Sequence, residues 1–327
     1  MFSIFIEKIG EMMLVKDGLR IVGTGHYVPS KVVTNEDLSK TVDTSDEWIS
    51  SRTGIRKRHF IDGEKNQDIA GKAAMMAIEN AGIDKNDIGA CIVATIKADN
   101  VTPSVACMIQ KTLELPSDIP CFDINAACSG FMYGIQIARG LLLQNNKKYA
   151  LVIGSEILST ILDMTDRGTC ILFGDGAGAA IVELSDTNRY FGVLGAQGDD
   201  DALYCPNGND VDRYVSMNGS DVFRFAVSTV PKTIFELLDK AQVTADDIDL
   251  FVCHQANKRI IESVAKKCKQ SLDKFYMNLD EYGNTSSASI PIALSEMNQK
   301  GMFKPGMKII CVGFGAGLTW GGAYLEW

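Results

Sequence analysis

Phe122-Asp123-Ile124-Asn125-Ala126-Ala127-Cys128-Ser129-Gly130 decides the fold: an apolar strand end meets a small-residue turn, and an apolar run at helical spacing follows from Phe131 to Leu143. A thiol at such a junction faces free N–H groups and the positive end of the helix, both of which favour thiolate. Ala126, Ala127, Ser129 and Gly130 leave room for a substrate. Read alone, Cys128 is one more buried cysteine among nine; its place between strand and helix makes it the candidate nucleophile.

Working outward, the same alternation recurs. Upstream, Leu19–Gly25 reads as a strand running into a glycine turn, and Thr44-Ser45-Asp46-Glu47 has the spacing of a helix capping box closed by Gly54. Ile69–Asn80 reads as a helix and Ile88–Ala94 as a fully buried strand; downstream, Ala150–Gly154 repeats the strand pattern. Such alternation predicts an α/β fold whose sheets are covered on both faces. A faint repeat at a shift of 160 residues sets Lys72 against Lys232, Ala81 against Ala241 and Asp87-Ile88 against Asp247-Ile248. A second echo sets Gly178, Ala180 and Glu183 against Gly321, Ala323 and Glu326. Two similar halves are expected, roughly 18–185 and 186–327. Residues 1–17, apolar but broken by Glu7, Lys8 and Glu11, read as an N-terminal extension, too short and too charged to span a membrane.

Composition narrows the function. A chain of 327 residues with 46% hydrophobic and 22% charged residues is a soluble globular protein, and a net charge of −9 argues against a general nucleic-acid binder. The basic segments Arg56-Lys57-Arg58 and Lys258-Arg259 with Lys266, Lys267 and Lys269 read first as solvated helix faces. The cysteines at 91, 107, 121, 128, 170, 205, 253, 268 and 311 contain no Cys-x-x-Cys pair, so no metal site is expected. Their odd number and the lack of a secretory signal point to a reducing cytoplasm.

A nucleophile needs partners. Of three histidines, His59 lies in a charged stretch and reads as a surface residue, and His26 reads as structural. His254 ends the apolar strand Leu250–Cys253, where sites collect in α/β sheets, and is the favoured imidazole. Asn284 follows Gly283, which by itself is an ordinary turn pair. Gly313-Phe314-Gly315-Ala316-Gly317 lets backbone approach a ligand and offer N–H groups, whereas Phe173–Gly178 suits tight packing between the halves.

Asp-Thr-Ser-Asp-Glu-Trp-Ile (43–49), Arg-Thr-Gly-Ile-Arg (52–56), Ala-Ala-Cys-Ser-Gly-Phe (126–131), Thr-Asp-Arg-Gly-Thr (165–169), His-Gln-Ala-Asn (254–257) and Gly-Asn-Thr-Ser (283–286) occur in that order. The chain therefore resembles the 3-oxoacyl-[acyl-carrier-protein] synthase III family from about Leu19 to its end. The resemblance implies a thiolase-like αβαβα five-layer sandwich of two duplicated halves and a homodimer. It implies a catalytic triad of Cys128, His254 and Asn284, with the N–H groups of Cys128 and Ala316 as oxyanion donors. Trp48, Arg52, Arg167 and Asn257 would line a coenzyme A channel. Arg259, with Lys266 and Lys267, would dock an acidic acyl carrier protein. The implied reaction joins an acyl-CoA primer to malonyl-acyl-carrier-protein with loss of CO₂ and needs no metal or redox cofactor.

Two departures stand out. Gly-Ala-Gly at 315–317 replaces a run that is often all glycine, and Thr102 stands where some members carry a phenylalanine wall to the acyl pocket. Competing readings are a specialised starter synthase, a hydroxymethylglutaryl-CoA synthase relative, a non-catalytic acyl or carrier-protein binding module, and a thiol hydrolase. The second lacks its glutamate base in the matching motifs, and the third has no need of an intact Cys, His and Asn set.

Overall fold

In the computed structural model, which describes residues 18–145, 147–206 and 214–327, the strand expected at Leu19–Gly25 runs on without a turn as β1 (Gly18–Tyr27). Its glycines serve packing instead. A Cβ on Gly25 would stand 2.2 Å from the Ala73 carbonyl oxygen and one on Gly23 would stand 2.4 Å from that of Ala77, so side chains there would push the overlying helix off the sheet. The expected extension at 1–17 lies outside the described residues.

An excursion follows: β2 (Lys31–Thr34), α1 (Asn35–Leu38), α2 (Asp46–Thr53) and β3 (Lys57–Phe60). α2 starts one residue later than the Thr44–Glu47 spacing implies. Ser45 is its N-cap, accepting the Trp48 N–H at 3.1 Å, and Gly54 closes it at φ 84°. β3 overturns two expectations. Arg58 belongs to a strand, not to a solvated helix face, and is fully buried, donating to Asn35 Oδ1 at 2.8 Å and to the Ile171 carbonyl at 2.5 Å. His59 is buried too, its Nδ1 2.6 Å from the Pro29 carbonyl, because β3 turns both side chains toward polar partners that the linear charge pattern hides.

The first sheet is completed by the strands of a series α3 (Asn66–Ala81), β4 (Ile88–Ala94), α4 (Val105–Thr112), β5 (Cys121–Ile124), α5 (Gly130–Leu142), β6 (Tyr149–Glu156) and β7 (Gly176–Ser185). Its order is β1-β7-β6-β4-β5, with β4 parallel to β5 and β6 and the other pairs antiparallel. Every residue of β4 and β6 is buried, as a sheet covered on both faces requires.

The chain then repeats itself. β8 (Tyr190–Asp199), the two-residue strands β9 (Leu203–Tyr204) and β10 (Ser216–Met217), α6 (Gly219–Ala241), β11 (Leu250–Cys253), α7 (Lys258–Cys268), α8 (Leu279–Tyr282), α9 (Ser289–Gln299), β12 (Lys308–Gly315) and β13 (Gly317–Glu326) follow. The second sheet runs β8-β13-β12-β11, with β11 parallel to β12, and a parallel bridge from Phe251 to Phe275 stands where β5 stands in the first. The repeat positions coincide in structure. Ala81 ends α3 before left-handed Gly82, a 3-10 turn (Lys85–Asp87) and β4; Ala241 ends α6 before left-handed Gln242, a 3-10 turn (Ala245–Asp247) and β11.

Five layers result. α3 and α4 cover the outer face of the first sheet through Ile69, Ala73, Val105 and Ile109. α6 and α7 cover the second through Val230, Ile234, Ile261 and Val264. α5 and α9 lie between the sheets, where Phe131, Ile135, Ile290 and Leu294 join one core with Ile92, Val152, Val252 and Ile309. No helix of the described residues is long and apolar enough to cross a membrane.

Candidate active site

The central layer sets the nucleophile. After β5, Asn125 Oδ1 accepts the Ala127 N–H at 3.1 Å, Ala127 takes a left-handed φ of 45°, and a 3-10 turn (Ala127–Ser129) leads into α5. Cys128 sits on that turn with 5% of its surface exposed. A Cβ on Gly315 would stand 2.6 Å from Cys128 N, so only glycine lets β12 come this close. The surroundings of Cys128 favour the thiol over the expected thiolate. Desolvation above all, with the Glu156 charge, pushes the Cys128 thiol up to about 12, against opposing contributions from Ser286 and its own backbone N–H. The start of the helix is outweighed by burial.

Asn284 and His254 come from the other half. Asn284 is fixed by its backbone, which donates to Leu172 O at 2.8 Å and accepts from Gly174 N at 3.0 Å. Its Oδ1 accepts the Ser286 N–H at 2.9 Å, so the amide Nδ2 is the end left for a ligand. Ser286, like Ala127, is left-handed at φ 49°, and a 3-10 turn (Ser286–Ala288) leads from it into α9. His254 follows β11, its N–H donating to Val312 O at 2.8 Å. Its Nδ1 lies 2.7 Å from Ser289 Oγ, which also accepts the Gln255 N–H at 3.4 Å; the tautomer in which the Ser289 hydroxyl donates to Nδ1 carries the imidazole proton on Nε2, toward the cavity. The ring packs edge-on against Phe314 at 5.1 Å, and desolvation lowers its pKa to about 3.

Cys128, His254 and Asn284 line one cavity of about 120 Å³, walled by Leu172, Phe173, Leu203, Met217, Val222 and Phe223. Asn257 belongs both to this cavity and to a surface groove at its mouth with Trp48, Arg52 and Arg259. There Trp48 carries the Arg52 guanidinium 4.5 Å from its ring centre and that of Arg167 at 4.8 Å, a stack suited to a flat, anionic ligand. Asn257 caps α7 through the Arg259 N–H at 2.8 Å and donates to the Arg52 carbonyl at 3.2 Å, tying mouth to cavity.

Three expected residues stand elsewhere. Thr102 is exposed beside fully exposed Val101 and is not a wall of the Cys128 cavity, because the chain leaves β4 toward solvent before Ser104 caps α4. Lys266 and Lys267 sit in the last turn of α7, away from the mouth, and Lys267 donates to the Val227 carbonyl at 2.7 Å. On β12 the cavity wall is Phe314 and Gly315, with half-buried Ala316 next in the chain. Sequence reasoning missed Phe223 and Arg224, which line the mouth from α6 and whose helical spacing carries no chemical signature. Among the described residues no group of three or more His, Cys, Asp or Glu is placed to hold a metal ion.

Known proteins resemble the chain over nearly its whole length. The family described as 3-oxoacyl-[acyl-carrier-protein (ACP)] synthase III matches residues 122–201, and its C-terminal counterpart matches residues 238–327. The beta-ketoacyl-[acyl-carrier-protein] synthase III of Clostridium acetobutylicum is 48% identical over 323 residues, covering 95% of this chain and 99% of that protein. The protein of the same name from Acholeplasma laidlawii is 50% identical over 313 residues, covering 94% and 98%. Among solved structures, 3-oxoacyl-[acyl-carrier-protein] synthase III from Aquifex aeolicus superimposes with a TM-score of 0.91 at 40% identity, covering 95% of this chain and all of that one.

Proposed function

The chain belongs to the 3-oxoacyl-[acyl-carrier-protein] synthase III family, and from that premise we propose the part each residue takes in the reaction. The reaction is the decarboxylating condensation of an acyl-CoA primer with malonyl-acyl-carrier-protein, which starts fatty-acid synthesis. The protein is an acyl-transferring enzyme. The observation that carries the assignment is the meeting of Cys128, His254 and Asn284 in one cavity, which shares Asn257 with the groove of Trp48 and Arg52.

The acyl-CoA enters past Trp48, Arg52 and Arg167, whose charges suit its phosphates, and Asn257 guides the pantetheine arm. Cys128 attacks the thioester, giving an acyl-enzyme and free CoA. The N–H groups of Cys128 and Ala316 hold the tetrahedral oxyanion, a role supported by the close approach of Gly315 to Cys128. Malonyl-carrier protein docks at Arg259, and Lys266 and Lys267 extend the same cationic helix. Loss of CO₂ leaves an enolate whose oxygen needs donors. His254 Nε2–H and Asn284 Nδ2 supply them, and a neutral imidazole is suited to donating without adding charge to a desolvated site. The carbanion attacks the acyl group on Cys128 and releases 3-oxoacyl-carrier protein.

We take the protein to be a cytoplasmic homodimer that needs no bound cofactor, with halves dividing near residue 185. The deciding experiment supplies a panel of acyl-CoA primers with malonyl-carrier protein and follows radiolabel on Cys128. Label that reaches Cys128 and moves on to a 3-oxoacyl product is expected. Label that ends as free acid would make the protein a hydrolase, and no labelling would make it a binding module.

A further inference from the structure

Glu156, the last residue of β6, is fully buried and has no part in the reaction as assigned above. Its carboxyl gathers donors from two sides. Oε2 accepts the Ile96 N–H at 2.9 Å, with Thr95 Oγ1 at 3.4 Å, both from the segment that leaves β4. Oε1 accepts from Ser286 Oγ at 3.0 Å, from Ser287 Oγ at 2.7 Å and from the Ser287 N–H at 3.4 Å. Ser287 Oγ also lies 2.9 Å from the Ala94 carbonyl, so the turn after Asn284 is fastened to the ends of β4 and β6 together. A Cβ on Gly154 would stand 2.3 Å from the Ser287 carbonyl oxygen, so the turn seats directly on β6.

The repeat accounts for a carboxyl at this place. Asn284, Ser286 and Ser287 hold the positions that Asn125, Ala127 and Cys128 hold in the first half, and Glu156 ends β6 as Gly315 ends β12. Gly315 keeps the approach to the Cys128 N–H open. Glu156 closes the matching approach to the Ser287 N–H with its own Oε1. One turn is left free to take a ligand, and the other is filled from within the protein.

We infer that Glu156 is a positioning residue for Asn284: by holding Ser286 and Ser287 it sets the plane in which the Asn284 amide meets the malonyl-derived enolate. The inference rests on the acyl-transfer reading above. The backbone bonds of Asn284 to Leu172 and Gly174 place its Cα, but the plane of its amide is set by the Ser286 N–H, which Oδ1 accepts at 2.9 Å. That N–H is aimed only while Ser286 keeps its left-handed φ of 49°, a conformation that its surroundings must enforce. Glu156 is the side chain that grips both Ser286 and Ser287. A donor stabilises a developing oxyanion only where its geometry is fixed beforehand, and a misplacement of about 1 Å costs on the order of 10² in rate.

The test separates the two half-reactions in Glu156→Gln. Whichever way a glutamine turns, its NH₂ faces either the Ile96 N–H or the Ser287 N–H, so one side of the clamp is lost. Acylation is followed as label reaching Cys128 from the acyl-CoA primer that reacts fastest, and decarboxylation as labelled CO₂ released from malonyl-acyl-carrier-protein. Decarboxylation should fall about tenfold or more in kcat with KM within about twofold. Acylation should not slow, since removing the Glu156 charge eases ionisation of Cys128. In an Asn284→Ala background Glu156→Gln should slow decarboxylation no further, because the group it positions is gone. An equal loss in both half-reactions, unchanged decarboxylation, or a full further loss beyond Asn284→Ala overturns the inference. Should Glu156→Gln fail to fold, Ser286→Ala, which removes one hydroxyl and leaves Glu156 in place, decides by the same readouts. The unaltered protein run alongside tests the acyl-transfer reading: with no label on Cys128 and no CO₂ that reading fails and takes the inference with it, whereas a failure confined to the variants leaves the reading standing.

Discussion

Desolvation keeps the His254 imidazole neutral down to about pH 3, although the same side chain in the unfolded chain takes a proton near the ordinary histidine value of about 6.5. Between those values the unfolded state binds a proton that the folded state does not, so folding stability falls as pH drops through this window. At pH 5 the contribution is about 2 kcal/mol. Replacing His254 with Asn should shrink the loss of stability between pH 7 and 5 by about that amount in paired denaturant titrations. A chemical division of labour is expected at the same scale. Cys128→Ser should abolish the acyl-enzyme, because a hydroxyl is a far weaker nucleophile. Asn284→Ala should still accept the acyl group but slow malonyl decarboxylation by about 10²–10³, as loss of one preorganised donor does. Blocked acylation with intact decarboxylation would reverse the assigned roles.

Among the elements, α7 divides its surface most sharply. Its apolar residues Ile260, Ile261, Val264 and Ala265 are buried, and its cations face out. Arg259 stands in the first turn, at the mouth, and is the one of the three expected docking residues that lines it. Arg259→Glu should weaken binding of an acidic carrier protein at low salt, with an effect that shrinks as salt screens it, while acylation by acyl-CoA stays near normal. Surface plasmon resonance at two ionic strengths would show this, and unchanged affinity at low salt would remove Arg259 from the docking surface. Elements were legible where burial alone shapes them. β4 and β6 read directly as apolar runs, and Cys128 was marked by the junction it occupies. Polar segments were not: Arg58 and His59 look like surface residues because their partners, Asn35, Ile171 and Pro29, are far apart or featureless in sequence. The glycines of β1 looked like a turn because the helix that needs them lies about fifty residues on.

For the molecule as a whole, the starter chain is the open question of specificity, and a role for Thr102 in it would require the proposed second copy of the chain. Its loop is exposed on the single chain, so its contact with an acyl group would have to be made across the proposed dimer. A threonine in place of phenylalanine leaves space for several methylenes, each contributing about 0.8 kcal/mol on burial. Thr102→Phe should then shift the ratio of kcat/KM values toward acetyl-CoA over longer primers; an unchanged ratio would confine the residue to the surface.

The duplication was legible at its helix ends but not at its centre. Asn125 to Ser129 and Asn284 to Ala288 are built alike, each with an asparagine accepting the amide two residues on, a left-handed residue there, a 3-10 turn and then a central helix. Asparagine is the one residue type the two turns share at matching positions, so sequence comparison passes over them. Their likeness has a kinetic consequence. One turn presents the sulfur and the other presents the amide, so the active centre is in effect an assembly of two unlike subunits carried on a single polypeptide. Severing the chain between Ser185 and Tyr190 would turn a first-order folding step into an encounter between fragments, and recovery of activity from the separated pieces would become second order in their concentration.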